Sequence, residues 1–421
     1  MKVFKFGGAS VSSVERTKEL PGILKRFANE KLMIIVSAMG KTTNALEKVV
    51  ENFYGGNCDQ ALQLFDVIKQ QHLTTAKYLL VKNHEACNNQ LADFFTEVEW
   101  LLHDKPVKSY DYYYDQVVCI GELMSTVILT HFLSESGVAN QWLDVRDVIK
   151  TDNNFRDANI DWKNTTENVA RIVLPEFKVA DIVLTQGFIG STDENESTTL
   201  GREGSDFTAA IFANLLNAES LSIWKDVEGV MNADPKAFKD AQLIRELSFE
   251  EVIEMAYYGA QVIHPKTIKP LQNKGIPLQV KCFLNCDLPG TTIHNKRVKG
   301  LPPIVVVKPM QALVHLNSRD FSFVGEKPMV FLYDLLSQLK IKPNLIQTGA
   351  INVQVCLDDR TDKLEQLAAA MSEVFDVQVE RGLTLLTVRH YTTKEVEELV
   401  QSKEPLLIQQ TPQTLQVVYR S

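Results

Sequence analysis

The feature that most constrains the fold is a series of short apolar runs, each ending in a polar or glycine-rich loop. One run, Asp181–Gly187, has the length of a buried strand and ends in glycine. The loop Thr198–Asp206 follows, then apolar residues at helical spacing, then a second strand-like run, Leu221–Lys225. This order is typical of a crossover connection in a parallel sheet. Because such sheets bind ligands at the carboxyl ends of their strands, the loop is predicted to lie at a binding edge.

The loop Thr198–Asp206 combines groups that are suited to anions. It contains two glycines, the guanidinium of Arg202 and the start of a helix. A purely structural interpretation is equally open at this point. In that interpretation Ser205 and Asp206 cap the helix, and Arg202 is a solvated loop residue.

Lys5 is the unusual residue of the first predicted strand, Lys2–Phe6, which runs straight into the turn Gly7–Ser10. Strand alternation places Lys5 near the carboxyl edge of the sheet, beside any anion that the glycines admit. A solvated lysine on an edge strand would give the same pattern. The residues alone leave both interpretations open.

A second buried-strand run, Leu32–Ala38, ends close to the triplet Gly40–Thr42. A P-loop needs another glycine five residues before this triplet, where Ile35 stands, so that motif is excluded. What remains is a polar loop at a strand end. Ser37 and Thr43 are its candidate hydrogen-bond donors.

The middle of the chain offers one candidate carboxylate. Residues 45–103 are predicted to be mostly helical and to cover one side of the site. Beyond them, Glu122 lies among apolar residues, where a carboxylate needs a partner. A substrate ammonium would serve, and so would an internal lysine or arginine. His264 has no second ligand at metal-binding spacing and is predicted to be structural.

Length and composition limit the function classes. The 421 residues predict two or three domains, and a net charge of −9 lacks the basic footprint of a nucleic-acid-binding protein. The six cysteines form no CxxC pair, which argues against a zinc site and a disulfide framework. Neither a signal peptide nor an apolar run near the length of a membrane span is recognised. We therefore expect a cytoplasmic protein without nucleic-acid or membrane partners.

The C-terminal part is predicted to be a separate region after the basic linker Asn295–Pro303. Its periodicities give a complete βαββαβ unit whose last strand is Val377–Glu380. A second unit begins at Leu383–Arg389 and continues with a helix, Lys394–Gln401, but lacks a second helix and a fourth strand. Because half a sheet cannot bury its apolar face, this fragment is predicted to pair with the preceding unit or with another subunit. The predicted domains are 1–296, 303–381 and 382–421.

Together these segments resemble the aspartate kinases of the amino-acid kinase family. The matching segments are Lys5–Ser10, Ser37–Asn44, Gly121–Glu122, Thr198–Asp206, Asp226–Lys236 and Gly259–Pro265. Each motif is weak alone, but their order and spacing make the set specific. The resemblance implies an α/β fold: an amino-acid-kinase sandwich with a mainly parallel sheet, followed by a βαββαβ regulatory region of the ACT, ferredoxin-like type.

The resemblance also implies the ligands and the residues that hold them. The substrates would be L-aspartate and ATP with Mg²⁺, and the product 4-phospho-L-aspartate. Lys5 would touch the transferring phosphoryl group, and Asp206 would organise the charged site. Aspartate would be held by Ser37, Thr43, Glu122 and Arg202. The nucleotide would be held by Lys5, Gly7, Gly8, Ser10, Lys225, Asp226, Met231, Asp234, Lys236, Gln261 and Val262.

Elementary chemistry agrees with these implied roles. A side-chain carboxylate with a pKa of about 4 is already ionised at neutral pH, so its phosphorylation needs no general base. Catalysis must instead bring two anions together and neutralise charge on the phosphoryl oxygens. Lys5, the glycine-loop N–H groups, a helix end and Mg²⁺ would do so. Asp206 is then expected to orient Lys5 and loop N–H groups. Arg202 would bind the substrate α-carboxylate, and Glu122 its ammonium.

Several positions depart from the family pattern. Ala9 lacks a hydroxyl that the first glycine motif usually carries, Lys225 replaces a usual threonine, and Gln261 replaces a usual lysine. Either Lys225 supplies the phosphate-side cation that Gln261 cannot, or nucleotide affinity is weakened. The ACT units imply feedback by lysine or threonine. At Asn344 and Ala350, however, this chain lacks the acidic residues of lysine-sensitive relatives, and a lysine ammonium needs such a partner.

Two rival functions are carried forward. One is a kinase for another amino acid, such as glutamate or acetylglutamate, which the Gly121–Glu122 element, the Arg202 loop and the ACT tail disfavour. The other is a non-catalytic amino-acid sensor, which the changes at Lys225 and Gln261 keep open. A protein kinase is excluded, because neither an HRD nor a DFG element occurs. We also expect no fused homoserine dehydrogenase, and a homodimer or higher homo-oligomer formed through the ACT units.

Overall fold

The computed structural model describes residues 1–260, 262–393, 399–400 and 403–420. The strands are β1 Lys2–Phe6, β2 Leu32–Val36, β3 Gln141–Leu143, β4 Ile182–Gln186, β5 Ile189–Ser191, β6 Ser197–Thr199, β7 Ser220–Lys225, β8 Glu246–Ser248, β9 Leu278–Cys282, β10 Thr291–His294, β11 Ile304–Ser318, β12 Leu345–Thr348, β13 Asn352–Asp358, β14 Phe375–Arg389, β15 Pro405–Gln410 and β16 Thr414–Arg420. The α-helices are α1 Val14–Lys25, α2 Thr42–Tyr54, α3 Cys58–Leu79, α4 His84–His103, α5 Tyr110–Val118, α6 Ile120–Glu135, α7 Trp162–Asn168, α8 Leu174–Glu176, α9 Gly204–Leu215, α10 Phe249–Tyr257, α11 Pro265–Lys274, α12 Glu326–Gln338 and α13 Thr361–Met371.

These elements form two compact units. The first unit consists of Met1–Val230, Arg245–Ile253 and Val262–Arg297. The second consists of Met231–Ile244, Glu254–Gln261 and Val298–Ser421. The three domain ranges predicted from the sequence stay predictions.

The first unit is built on an eight-stranded sheet with the order β3-β4-β2-β1-β7-β9-β10-β8. Its neighbouring strands are parallel except β9 with β10. The mainly parallel sheet predicted from the sequence is thus confirmed. Strand β1 is central, because it pairs with β2 on one side and β7 on the other. Lys5 is therefore not a residue of an edge strand.

The central strands are buried because both faces of the sheet are covered, which explains their continuous apolar runs. Aromatic rings fill one part of this interior. The ring of Phe6 stacks on that of Trp224 with centroids 5.8 Å apart, and Phe4 meets Phe27 edge-on at 4.8 Å. This packing fixes the carboxyl ends of β1 and β7, where the candidate site begins.

The predicted strand–loop–helix–strand order is present as β4, α9 and β7. One detail differs: Ser197–Thr199 forms β6, which pairs with β5 in an antiparallel hairpin, where the sequence predicted a loop from Thr198 onwards. Polar residues of this kind form a strand here because their backbone groups pair with Ile189–Ser191. The hairpin carries the chain into the Arg202 turn and then into α9.

The helical stretch Tyr110–Glu135 corrects one expectation. It is 26 residues long with a mean hydropathy of 1.7, so it has the length and composition of a membrane span, although no such run was recognised in the sequence. In the structure 83% of its most apolar window is buried inside the protein. Helix α6 packs against strands of the parallel sheet, and a helix that is apolar on all sides is typical of a buried core position.

The second unit contains a six-stranded antiparallel sheet with the order β12-β13-β11-β14-β16-β15. The order β11, α12, β12, β13, α13, β14 confirms the βαββαβ arrangement. The helices α12 and α13 contribute Leu332, Leu336, Leu364 and Leu367 to a core with the inner faces of the strands.

One prediction about the C-terminal strands is wrong, because the sequence predicted two strands where the structure has one. Val377–Glu380 and Leu383–Arg389 belong to one strand, β14, which pairs with β11 along its length. The polar pair Arg381-Gly382 resembles a turn in the sequence, but Gly382, at φ 69°, lies where the register shifts within the strand. The first part of β11 pairs with Leu383–Arg389, so it supplies the strand that the second half-sheet lacked. The predicted helix Lys394–Gln401 falls largely outside the described residues.

Candidate active site

A cleft of about 590 Å³ opens in the first unit at the carboxyl ends of β1 and β7. Most of the predicted site residues line it. They are Lys5, Gly7, Gly8, Ser10, Ser37, Thr43, Glu122, Arg202, Asp206, Lys225 and Asp226. Residues from segments more than 200 positions apart therefore meet at one edge of a parallel sheet, where such sheets bind ligands.

An ion pair between Lys5 and Asp206 lies in this cleft. Lys5 Nζ is 2.7 Å from Asp206 Oδ1, and the two residues are only 9% and 3% exposed. Burial alone would raise the pKa of Asp206, but the charges of Lys5 and Lys225 outweigh it and lower that pKa. Asp206 is therefore an anion that is paired with Lys5 and stabilised further by the charge of Lys225. The solvated-lysine interpretation of Lys5 does not fit this geometry.

The glycine turn packs so tightly that a side chain is excluded at one position. A Cβ atom added to Gly8 would lie 2.7 Å from the carbonyl oxygen of Ala38. The backbone N–H of Gly40 also donates to the carbonyl of Gly8, at 3.0 Å. The loops after β1 and β2 thus support each other, and their backbone can approach a ligand closely.

Glu122 lies in the first turn of α6 and is 2% exposed. Burial raises its pKa to about 8, although a backbone hydrogen bond from Ala38 opposes the shift. Its Oε2 atom has no hydrogen-bond partner, and among the described residues no lysine or arginine forms an ion pair with it. An internal cation is thus not its partner in the described part of the chain. A buried, unpaired carboxylate is suited to an ammonium ligand.

The Arg202 loop is shaped by left-handed conformations at the two residues that flank Arg202. Gly201 has φ 74° and Glu203 has φ 54°. Glu203 is held by the backbone N–H of His264, which donates to its Oε2 at 2.9 Å. Arg202 itself is exposed and forms no hydrogen bond or ion pair with another described residue. Its guanidinium is therefore available to an anion in the cleft.

Lys225 places a second cation beside Asp206. It is the last residue of β7, and its Nζ donates to the carbonyl oxygen of Val262 at 2.9 Å. On the neighbouring strand Lys5 is in register with Ile223, two positions before Lys225, so both lysines lie on the same face of the sheet. Two lysines therefore lie on one face of the sheet in the cleft, close to the buried carboxylate of Asp206.

Five predicted nucleotide residues do not line this cleft as described, and one of them, Val262, is linked to it only through its carbonyl contact with Lys225. Met231, Asp234 and Lys236 belong to the second compact unit, where the Asp234 carboxylate accepts a hydrogen bond from the backbone of Lys236 at 2.9 Å. Gln261 lies outside the described residues. Their role as ligands stays a prediction. His264 caps α11 by accepting a hydrogen bond from the backbone of Lys266, which fits its predicted structural role.

The sequence analysis missed several lining residues, including Tyr114, Arg156, Phe188 and Thr199. It also missed Asp115, which is fully buried and links two of the loops. The Asp115 carboxylate accepts hydrogen bonds from the backbone of Arg156 at 3.0 Å and from the backbone of Thr199 at 2.8 Å. Burial raises the pKa of Asp115 to about 6. The one signal was a carboxylate within an apolar helix, the same signal that identified Glu122.

Comparison with known proteins agrees with this geometry. A model of the amino acid kinase family matches residues 1–282. The chain belongs to the amino acid kinase family. Within that family it is similar to lysine-sensitive aspartokinase 3 of Escherichia coli K12, with 31% identity over 400 residues, 92% of this chain and 86% of the relative. It is also 29% identical to aspartokinase 2 of Arabidopsis thaliana over 410 residues, 92% of this chain and 73% of that one.

Solved aspartokinase structures share the fold of this amino acid kinase over its whole length. Aspartokinase III of E. coli in complex with aspartate and ADP superposes with a TM-score of 0.81 at 29% identity, covering 100% of this chain and 96% of that one. The same enzyme in complex with lysine and aspartate gives a TM-score of 0.82, covering 99% and 95%. The amino-acid-kinase fold and the ACT-like second unit expected from the sequence are confirmed.

Proposed function

We propose that this amino acid kinase transfers the γ-phosphoryl group of ATP to the side-chain carboxylate of L-aspartate. The product is 4-phospho-L-aspartate, the first intermediate towards lysine, threonine and methionine. The observation that carries the proposal is the cleft that brings the Lys5–Asp206 ion pair together with the unpaired carboxylate of Glu122. The similarity to aspartokinases over 92% of the chain supports it.

Lys5 and Asp206 are the catalytic pair in this proposal. Lys5 neutralises the charge that builds up on the phosphoryl oxygens during transfer. Asp206 keeps the Lys5 ammonium aimed into the cleft at 2.7 Å and takes no proton from the acceptor. No base is required, because the acceptor carboxylate is ionised at neutral pH.

The acceptor amino acid is held by its two backbone charges. Its ammonium pairs with Glu122, whose Oε2 is buried and unpartnered, and its α-carboxylate pairs with the free guanidinium of Arg202. Ser37 and Thr43 line the same cleft and donate hydrogen bonds to the bound acid. These contacts leave the side-chain carboxylate pointing at the phosphoryl group.

The nucleotide phosphates lie against the glycine turn, where Gly7, Gly8 and Ser10 line the cleft. Lys225 and Val262 form the neighbouring wall. Asp226, Met231, Asp234, Lys236 and Gln261 complete the proposed set.

Mg²⁺ fits these residues, because kinases hold the ion through phosphate oxygens and one or two carboxylates, and Asp226 is an exposed carboxylate in the cleft. The ion would supply further neutralisation of phosphate charge.

The second unit is proposed to bind an amino-acid effector and to form the contact between two copies of the chain. Its Phe321 and Phe323 are 80% and 82% exposed, so two large apolar side chains are available to such a contact. Titration of the enzyme with lysine and with threonine tests regulation. Insensitivity to both would contradict the effector proposal, and a monomer in sedimentation would contradict the dimer.

A hydroxylamine trap for acyl phosphate tests the catalytic proposal. ATP, Mg²⁺ and L-aspartate should give the coloured hydroxamate, whereas glutamate and acetylglutamate should give none. Signal with another acceptor would move the proposal to a different amino acid. No signal from a folded protein that fails to bind Mg·ATP would favour the non-catalytic sensor, which the departures at Lys225 and Gln261 keep as the second candidate.

A further inference from the structure

Arg156 lies in the cleft although no motif pointed to it. It lines the same cavity as Lys5, Glu122 and Arg202. It follows a polar turn and is held there by the buried carboxylate of Asp115, which accepts its backbone N–H at 3.0 Å. The hydrogen bond to Asp115 thus fixes the backbone of Arg156 at the cleft, and with it a cationic side chain.

The backbone of Arg156 adopts a conformation that does not suit arginine. Its φ is 69°, in the left-handed region that glycine enters without strain and a long side chain enters at a cost. Non-glycine residues that persist in this region cluster at ligand sites, where the surrounding structure holds them in place. The side chain of Arg156 therefore needs an explanation beyond local folding.

The Arg156 guanidinium is held in position by its neighbours, but not all of its N–H groups donate hydrogen bonds to them. Its Cζ lies 4.2 Å from the ring centroid of Tyr114, a cation–π contact that fixes its plane. Two carboxylates hold it loosely: Glu47 Oε1 at 3.3 Å and Asp111 Oδ1 at 3.4 Å, each through a single N–H. A guanidinium has five N–H donors, so these contacts leave donors free.

The Arg156 segment also touches the loop that carries Arg202. A Cβ atom added to Gly201 would lie 2.6 Å from Asp157 Oδ1 and 3.3 Å from the carbonyl oxygen of Arg156. The two loops are thus in van der Waals contact one residue away from Arg202. Two guanidiniums, neither of them saturated, are carried on adjoining loops of one cleft.

We infer that Arg156 is a second cation for the acceptor amino acid and binds its α-carboxylate together with Arg202. The inference rests on the proposed aspartate kinase function. Two guanidiniums suit a carboxylate, because each can donate paired N–H groups to it in a fixed plane. The cation–π contact with Tyr114 presents the guanidinium, and the left-handed backbone is retained because it directs the side chain into the cleft.

Steady-state kinetics of Arg156→Ala test the inference. The KM for aspartate should rise at least about tenfold, the loss of one charge-assisted contact, while the KM for ATP changes less than about twofold. The KM of Arg156→Lys for aspartate should lie between those of the wild type and Arg156→Ala. Lysine keeps the positive charge but cannot donate the paired N–H groups of a guanidinium. Arg156→Gly should impair aspartate binding as much as Arg156→Ala does. It should nevertheless melt at a higher temperature than Arg156→Ala, because glycine relieves the strained φ.

Asp111→Asn is the matched control. It removes one of the carboxylates that hold Arg156 and leaves the guanidinium in the cleft, so the KM for aspartate should stay within about twofold of the wild type. If Arg156 only braced the structure, Asp111→Asn would reproduce part of the Arg156→Ala defect. An unchanged KM for aspartate in Arg156→Ala, measured on an active wild type, would overturn the inference. An inactive wild type would instead contradict the proposed function.

Discussion

The cleft of the first unit and a polar cluster in the second unit hold similar residues in opposite ways. In the cleft, Glu122 Oε2 is buried without a partner and Arg202 forms no ion pair with the described residues. In the second unit, Lys308 Nζ lies 2.7 Å from Asp358 Oδ1 and 2.9 Å from Asn344 Oδ1. We call the cleft groups open, because they lack partners within the chain, and the groups around Lys308 the closed cluster, because they bond to one another.

The closed cluster is satisfied by its own members. The side-chain amide of Asn344 donates to Asp358 at 2.9 Å, and that of Gln311 donates to the same carboxylate at 3.1 Å. Because an unpaired buried polar group is costly, an open group marks a place where a ligand completes the hydrogen bonding. The closed cluster needs no ligand. Asn344 was the position where a lysine effector would need an acidic partner, and here it bonds to the chain's own Lys308.

The largest expected effect comes from breaking the proposed catalytic pair, Lys5 and Asp206. Lys5→Met should lower kcat at least about 100-fold, since it removes the cation aimed at the phosphoryl group. Asp206→Asn should also lower kcat strongly, because Lys5 loses the anion that orients it. Turnover is measured by the acyl-phosphate trap at saturating ATP and aspartate. Near-normal turnover in Asp206→Asn would show that the orienting role is wrong.

Removing the open carboxylate should have the next largest effect. Glu122→Gln should raise the KM for aspartate roughly 10- to 100-fold, because an ammonium ligand loses a charge-assisted hydrogen bond. The KM for ATP should stay close to the wild-type value. An unchanged KM for aspartate would mean that the unpaired Oε2 atom does not bind the ammonium.

The raised pKa of Glu122 gives this contact a pH dependence. Between its ordinary pKa of 4.5 and its folded value of about 8, the folded protein retains a proton that the unfolded chain releases, so stability falls as pH rises through this window. An ammonium needs the ionised form, so aspartate affinity should weaken as pH falls below about 8. Titrating the KM for aspartate against pH checks this, and Glu122→Gln should lose the dependence.

A smaller effect is expected at the nucleotide side of the cleft. Lys225→Thr should raise the KM for ATP about tenfold, the loss of one charge-assisted contact, with little change in the KM for aspartate. Adding Gln261→Lys to that variant should recover part of the affinity if a single cation at either position serves the phosphates. Unchanged ATP affinity in Lys225→Thr would contradict compensation by Lys225.

The smallest effect is expected in the closed cluster. Lys308→Met removes one partner of Asp358, but both side chains are partly exposed, at 30% and 45%, so solvent screens the pair. The free energy of unfolding should fall by about 0.5–1 kcal/mol in chemical denaturation. The KM values for aspartate and ATP should not change, and a change in either would mean that the cluster takes part in substrate binding.

The sequence predicted which strand ends of the first unit line the cleft, because each of these strands is short and ends in a distinctive loop. Lys5, Ser37 and Asp206 were found in that way, and Glu122 was found as a carboxylate among apolar residues; all four line the cleft. Arg156 was missed because its function depends on a backbone φ and on a contact with a distant loop, and neither has a sequence pattern.

The second unit was predicted less well for a physical reason. Strands β11 and β14 are each 15 residues long and change register in the middle, where Met310 at φ 56° and Gly382 at φ 69° lie. In a single sequence, a bulge of this kind cannot be distinguished from a turn, because both are formed by glycine or polar residues. Only the partner strand distinguishes them, and pairing between residues so far apart cannot be read from local composition.

The measurement that tests the account most directly is a ³¹P NMR comparison of three proteins under identical conditions: the wild type, Lys5→Met and Lys308→Met. With Mg·ATP and L-aspartate, the wild type and Lys308→Met should form the acyl-phosphate resonance at the same rate, and Lys5→Met should form it at least about 100-fold more slowly. Equal rates in wild type and Lys5→Met, or no acyl phosphate from the folded wild type, would contradict the claim that the charged groups of the cleft carry out phosphoryl transfer to aspartate.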